Sequence, residues 1–539
     1  MRGVVAAGLA GIAIVTVIVL GNRARQWNEE LGLASPPIVH EALRIDDPRT
    51  PRLSGRVVLV IVDGLGVDES ATPYLDELRR RGVAATARVP YPTISRPNYV
   101  TILSGVPPAD SGVRANRVAA PIAVDTVMDR VHAADQRVAT ASDFGLLASL
   151  FVRGTPSLVG VDWIERGTHV APPPPLTWPF DDAIRVGSLD ALGSAIAELA
   201  AGDAALVAVL VLDVDRAGHA AGVGDEYRAA AAAADHMLRR AFAGIDLTRD
   251  TVIVTADHGH VRPGGHGGDE PEVSHVPLVL AGSGVVAGAT ARDARLVDVA
   301  PTVAALLGIP APGHAEGRAL VELLQLTPEQ AARRSAIDTA RGHAVITVAE
   351  AARAQVTTPS PRRLVELAIG LAMAVALGSV LGRRKIIVVT RAAATGALGF
   401  AAMLLAAVVL TRGQLSPSYV PSLSRTQALG AVAIVVAIVL QLLASWRVIR
   451  RAPDRIASAN GCAFLGLTLA LAAVGLVRAW FSPPHLAMPP PFWMVVVPAL
   501  DIAAATCAFA ALITLALAGV RSRAGILDRR SILPTAADP

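Results

Sequence analysis

Four short clusters of carboxylate and imidazole residues stand in the first half of this chain: Asp63-Gly64, Asp215-x-x-x-His219, Asp257-His258 and His266-Gly267-Gly268-Asp269. Six of their groups suffice for two metal ions with open coordination positions. Carboxylates and imidazoles without thiolates suit zinc or manganese, and zinc is favoured at a hydrolytic site. A metal pair roughly 3.5–4 Å apart can clamp both the attacking and the leaving oxygen of an in-line displacement. A nucleophile is available in Pro92-Thr93-Ile94-Ser95-Arg96-Pro97-Asn98-Tyr99. Proline suits the first turn of a helix, here predicted over Asn98–Leu103, so Ser95 stands at or just before its N-terminus. There the helix dipole and a nearby metal favour the alkoxide over the hydroxyl. Thr93 is the rival nucleophile, further from the helix start, while His260 and Asp213 receive no role. Taken singly, an Asp-Gly after a strand is usually a turn and a serine before a helix usually a cap. Their joint occurrence, in order and on strand ends, is what points to chemistry.

The elements that must position these groups read as an α/β sheet. Residues 56–62, 137–140, 205–212, 251–255 and 276–280 are rich in Val, Leu and Ile, as strands buried on both faces should be. Amphipathic or Ala-rich stretches at 72–81, 188–200 and 226–242 alternate with them, which implies a mostly parallel sheet sandwiched by helices. Ligands of such sheets bind beyond the carboxyl ends of the strands. Three strands end there on acidic residues: Val62 runs into Asp63, Leu212 into Asp213 and Asp215, and Thr255 into Asp257-His258. An irregular surface loop is expected around Pro172–Pro175, and there is no internal repeat.

The flanks have a different composition. Apolar residues reach 53% of the 539 and charged ones only 17%, with the excess at the N-terminus and in the last third. Val4–Leu20 suits a signal peptide or a signal anchor. It exceeds the usual 7–15 residue signal core, and its one candidate cleavage site, Val19-Leu20-Gly21, is weak, so an uncleaved anchor is expected. Five further runs, Leu364–Leu381, Ala392–Leu410, Ala428–Trp446, Ala457–Val477 and Trp493–Val520, each approach the roughly 20 residues that cross a hydrocarbon core. Basic groups follow the first (Arg383, Arg384, Lys385), the third (Arg447, Arg450, Arg451, Arg455) and the fifth (Arg521, Arg523, Arg529, Arg530). The positive-inside rule then puts the C-terminus in the cytoplasm and residues 22–360 outside, outvoting Arg362 and Arg363. The net charge of +4 lies beside apolar runs rather than in a basic stripe with aromatics, which argues against nucleic-acid binding. Both cysteines, Cys462 and Cys507, sit in apolar runs, so the soluble part has neither a disulfide framework nor a thiolate metal site. Asp501 falls inside the last span, where a carboxylate marks a functional site or else sits at the outer headgroups beside Pro498.

On these residues the chain resembles the alkaline phosphatase superfamily, in particular its nucleotide pyrophosphatase/phosphodiesterase branch. The resemblance covers about residues 55–320, and 298–310 (DVAPTVAALLGIP) looks like the family's closing helix. It implies two zinc ions, one held by Asp215, His219 and His266 and the other by Asp63, Asp257 and His258, with Ser95 bridging them as nucleophile. It also implies that Asn116 binds a nonbridging phosphate oxygen. Most diesterase members carry threonine at the nucleophile position, so Ser95 is a departure. The architecture is similar to that of glycosylphosphatidylinositol ethanolamine-phosphate transferases, whose bundles usually have more spans. Sulfatases are disfavoured because Tyr99 stands where they need Arg. The phosphoglycerate mutase branch shares metal ligands but gives no reason for six spans.

The expected organisation is a signal anchor at 1–21, a linker at 22–54, an extracytoplasmic catalytic domain at 55–326, a linker at 327–362, a five-span bundle at 363–520 and a cytoplasmic tail at 521–539. The expected activity is cleavage of a phosphodiester or pyrophosphate, on a nucleotide or lipid-linked substrate, through a phospho-Ser95 intermediate. Transfer of a phospho-alcohol group to a lipid-linked or surface glycan is the alternative, and a non-catalytic membrane binding protein the third. Low lysine use with abundant Ala, Val and Arg suggests a bacterial cell membrane as the location.

Overall fold

The computed structural model describes residues 1–33, 51–116, 122, 124–142, 182–354, 361–389, 395–420, 423–452, 454–480 and 488–530. The loop expected around Pro172–Pro175, most of the 22–54 linker and the end of the tail lie outside them.

Seven strands form one sheet: β1 (Val57–Val62), β2 (Val83–Arg88), β3 (Val138–Ser142), β4 (Asp182–Arg185), β5 (Leu206–Val211), β6 (Thr251–Thr255) and β7 (His275–Gly282). Their order is β2-β7-β6-β1-β5-β3-β4. Only β7 runs against the rest, pairing antiparallel with β6 and β2. The central strands β1, β5 and β6 are buried along their whole length, as runs such as VVLVIV and LVAVLV require. The expected strands and helices are present, the latter as Pro73–Arg81, Leu189–Ala201 and Asp225–Ala241. Two strands were not anticipated. β2 (VAATAR) is an edge strand with a half-exposed, Ala-rich pattern, and β4 has only four residues, so neither carries a strong period-2 signal.

Register is what gathers the acidic residues. β1 is flanked by β5 and β6, with Val62 opposite Val211 and Ile61 opposite Thr255. The three chains therefore leave the sheet side by side, carrying Asp63, Asp213–Asp215 and Asp257-His258 to one edge. The helix Val299–Leu307, buried at every position, closes the core against β1.

The stretch expected as the second linker contains a 27-residue helix, Pro328–Ala354. Its buried Arg334 and Arg341 donate to the carbonyls of Ile309, Pro301, Ala315 and Gly317, so its first half belongs to the core's periphery.

Among the described residues, five helices are long and apolar enough to cross a membrane, within Arg2–Ala24, Pro361–Arg383, Ala431–Arg451, Arg455–Trp480 and Pro491–Val520. The run expected at Ala392–Leu410 appears as a shorter helix, Thr395–Leu410, preceded by undescribed residues. The N-terminal helix packs into the others through Leu9, Ala13, Ala463, Leu467, Ala508 and Ala511, of which the four alanines are small enough to let helix backbones approach. Asp501 is buried in this bundle and paired with Arg478 at 3.5 Å. The pairing offsets the cost of its charge.

All the bundle's ends sort consistently. Arg2 pairs with Asp454 and donates to the carbonyl of Lys385, so the N-terminus lies with the Arg-rich connections. The α/β domain lies at the other end, where Tyr91 donates to Pro489 O at 2.8 Å and Gly268 N donates to Ser418 Oγ at 2.8 Å.

Candidate active site

The helix Ser95–Ser104 begins at Ser95, two residues upstream of the proline that its first turn tolerates. Ser95 Oγ lies 3.2 Å from His258 Nε2, and that nitrogen is also 3.4 Å from Asp63 Oδ1 and 3.3 Å from Asp257 Oδ2. A second group surrounds Asp215 Oδ1, with His219 Nε2 at 3.4 Å and His266 Nε2 at 3.8 Å. Ligand-capable atoms of Asp63, Asp257 and His258 lie within 4.8 Å of one another, and so do those of Asp215, His219 and His266. These are the two triads that the resemblance implied. A third, overlapping triad, Asp215, His258 and His260, spans them. The His258 and His266 rings stack at 3.7 Å, which ties the two groups together.

Asn116 Oδ1 accepts the Arg96 N–H at 3.0 Å, which places its amide beside the nucleophile. The amide nitrogen carries two donor hydrogens suited to an anionic oxygen. Thr93 has a different task. Its hydroxyl is buried, donates to Gly268 O at 2.9 Å and accepts from Gly267 N at 2.9 Å, and its carbonyl meets His266 Nδ1 at 2.8 Å. Thr93 thus fastens the His266 loop, and Ser95 is the hydroxyl at the ligand cluster. Asp213 faces away, pairing with Arg216 one turn along its helix at 3.2 Å.

Three further side chains shape the site. His260, buried, donates through Nε2 to Asp215 Oδ1 at 3.1 Å. Space for its ring comes from glycines: a Cβ at Gly64 would lie 2.7 Å, and one at Gly218 2.8 Å, from His260 Nε2. Gly64 also has φ of 73°, a left-handed turn that brings its N–H to Asp257 Oδ1 at 3.1 Å. Tyr99, one helical turn after Ser95, donates to Asp63 Oδ2. Tyr227 accepts from Gly66 N and donates to Gly64 O, bracing the turn that carries Asp63. The sequence signals for these were an imidazole two residues after His258 and a phenol at helical spacing from Ser95.

The electrostatics are those of a site shaped for cations. Burial, then the charges of Asp257 and Asp215, push the Asp63 carboxyl well up. Burial and Asp215 raise Asp257 to about 7. Burial would raise Asp215 too, but the His260 hydrogen bond and the surrounding imidazoles outweigh it and hold it below the usual carboxylate range. Burial, with neighbouring imidazoles, lowers His258 and brings His266 to about 4, so both present neutral rings at pH 7. Asp63 Oδ1 and Asp257 Oδ2 are buried with no hydrogen-bond partner. Orphaned carboxylate oxygens beside neutral imidazoles fit divalent metal ions, which would satisfy the oxygens and relieve their repulsion.

Comparison with known proteins follows the same line. Residues 57–263 match the family model of type I phosphodiesterase / nucleotide pyrophosphatase, which takes in every candidate site residue except His266. Among curated proteins, the 2,3-bisphosphoglycerate-independent phosphoglycerate mutase of Ruegeria pomeroyi is 40% identical over 97 residues, 16% of this chain and 18% of that one. The mutase of Synechococcus elongatus is 30% identical over 162 residues, 28% and 30% of the two chains. The chain thus spans less than a third of those relatives. Among solved structures, alkaline phosphatase PafA aligns with a TM-score of 0.40 at 12% identity, covering 51% of this chain and all of that one. Murine ectonucleotide pyrophosphatase/phosphodiesterase 5 aligns with a TM-score of 0.37 at 13% identity, covering 48% and 96%. Residues 57–263 are therefore similar to the type I phosphodiesterase / nucleotide pyrophosphatase family.

Proposed function

We propose that this chain is a membrane-anchored, two-metal enzyme that cleaves phosphodiester or pyrophosphate bonds with Ser95 as its nucleophile. The observation that carries the reading is Ser95 Oγ at a helix N-terminus, 3.2 Å from His258 Nε2 and beside two complete triads of metal-ligand type. Asp63, Asp257 and His258 would hold one metal and Asp215, His219 and His266 the other, with zinc favoured over manganese. Bound there, the metals would supply Lewis-acid stabilisation of the attacking and leaving oxygens.

The chain's own groups account for the rest. The helix N-terminus lowers the cost of charge on Ser95 Oγ. That oxygen attacks phosphorus, a P–O bond to Ser95 forms, and the opposite P–O bond breaks with loss of an alcohol or phosphate. The amide of Asn116 steadies a nonbridging oxygen. Water or an acceptor hydroxyl then attacks the same phosphorus and frees Ser95. Positioning and charge stabilisation dominate such a reaction.

The domain at 55–326 is read as extracytoplasmic, because the Arg-rich connections and Arg2 share the opposite end of the bundle. The packed N-terminal helix supports its retention as an anchor. Contacts between the bundle's outer loops and the catalytic loops favour a second reading, phospho-alcohol transfer to a lipid-linked or surface acceptor. Intact ligand triads argue against a purely binding role.

Trapping tests the mechanism. Acid-quenched enzyme mixed with a diester should carry one phosphoryl-ester adduct on the peptide containing Ser95, seen by mass spectrometry. An adduct on Thr93, or none while product accumulates, would overturn it.

A further inference from the structure

We infer that the membrane bundle is a structural part of the metal site: its outer loop Ser416–Tyr419 positions His266, with Ser418 as the positioning residue. This rests on His266 being a metal ligand. The Ser418 hydroxyl is buried, accepts from Gly268 N at 2.8 Å and donates to Glu270 Oε2 at 2.6 Å. Gly268 O is in turn held by the Thr93 hydroxyl, and the Thr93 carbonyl by His266 Nδ1. A continuous set of hydrogen bonds therefore runs from the bundle loop to the ring whose other nitrogen faces Asp215 and His219.

The packing leaves no slack. A Cβ at Gly265 would lie 2.1 Å from Ser418 O, and one at Gly268 would lie 2.3 Å from Ser416 Oγ and 2.7 Å from Ser418 Oγ. Pro417 Cβ lies 3.3 Å from where a Gly267 Cβ would stand. The three glycines around His266 thus let the loop from the bundle lie backbone to backbone on the ligand loop. A second outer connection reaches the nucleophile loop, where Tyr91 donates to Pro489 O at 2.8 Å. Among the described residues, the group around Asp63, Asp257 and His258 takes its hydrogen-bonded supports, Tyr99, Gly64 and Tyr227, from the α/β domain, and its link to the bundle is indirect, through the His258 ring stacked on His266. The two metal positions should therefore respond differently when the bundle contact is cut.

The test uses full-length protein in detergent, with zinc content and affinity measured by elemental analysis and competitive chelation. Wild type should bind two zinc ions. Ser418→Ala should weaken one of them about 10–100-fold, the usual effect of removing support behind a ligand, and leave the other unchanged. Gly268→Ala, which wedges the loops apart without touching a ligand, should do the same, and Ser418→Thr should restore binding. Activity of Ser418→Ala should fall at limiting zinc through kcat and recover at saturating zinc. Wild type that binds no zinc would remove the reading on which the inference rests. Wild type and both variants binding two ions with equal affinity, or variants losing both ions together, would overturn the inference itself.

Discussion

At the scale of single residues, the proposed chemistry rests on a few side chains and the rest hold them. Ser95 and the six ligand-type groups lie together, with Asn116, which only the resemblance pointed to, beside them, and the gathering of the acidic groups follows from three strands ending on acidic residues. Residues that act only through others were harder to read. Tyr99 figured only as a mismatch to sulfatases, yet its phenol holds Asp63, and His260 carried no role, yet its ring orients Asp215. Support of this kind depends on which ring reaches which carboxylate across the fold, and no local period encodes it. Asn116, by contrast, announced itself by motif and lies one hydrogen bond from the backbone next to Ser95. If its amide steadies the transition state, Asn116→Ala should lower kcat about 10²–10³-fold with unchanged zinc content, as steady-state kinetics with metal analysis would show.

At the scale of elements, the buried parallel strands were legible because β-branched runs bounded by Asp leave little alternative. The edge strands β2 and β4 were not, because half of β2 faces outward and β4 is too short for a pattern. The antiparallel run of β7 was equally hidden, since direction is set by the path of the connection rather than by composition. The turn after β1 is the element on which the site depends most. Tyr227 accepts the Gly66 N–H and donates to the Gly64 carbonyl. Tyr227→Phe would leave that buried amide without its acceptor, a cost of about 1–3 kcal/mol. Chemical denaturation should show a loss of that size. An unchanged midpoint would mean that the turn is held by packing alone.

At the scale of the whole molecule, the chain joins an α/β domain to a helical bundle, and among the described residues five of the six expected apolar runs coincide with helices long enough to cross a membrane. The sequence did not show that the N-terminal helix joins the bundle, nor that loops of the bundle reach Tyr91 and Gly268, since both are long-range contacts. Metal and fold should be coupled across this assembly. In chelated protein, Asp63 and Asp257 have carboxyls raised by burial, Asp257 to about 7. A carboxyl raised on folding favours the fold below its unfolded value, about 4, and loses that contribution as pH climbs through the folded value. Thermal scans of chelated protein should therefore show Tm falling between about pH 5 and pH 8, whereas zinc, which displaces those protons, should stabilise more as pH rises. A gap between loaded and stripped protein that does not change with pH would count against the buried carboxylates as ligands.

The most direct test of the central claim is turnover of bis-p-nitrophenyl phosphate and p-nitrophenyl phosphate by detergent-solubilised protein, with and without chelator, beside Ser95→Ala. The account predicts chelator-sensitive cleavage of the diester, about 10³-fold or more weaker in Ser95→Ala at unchanged zinc content. Diester cleavage that survives either chelation or the loss of Ser95 would contradict it.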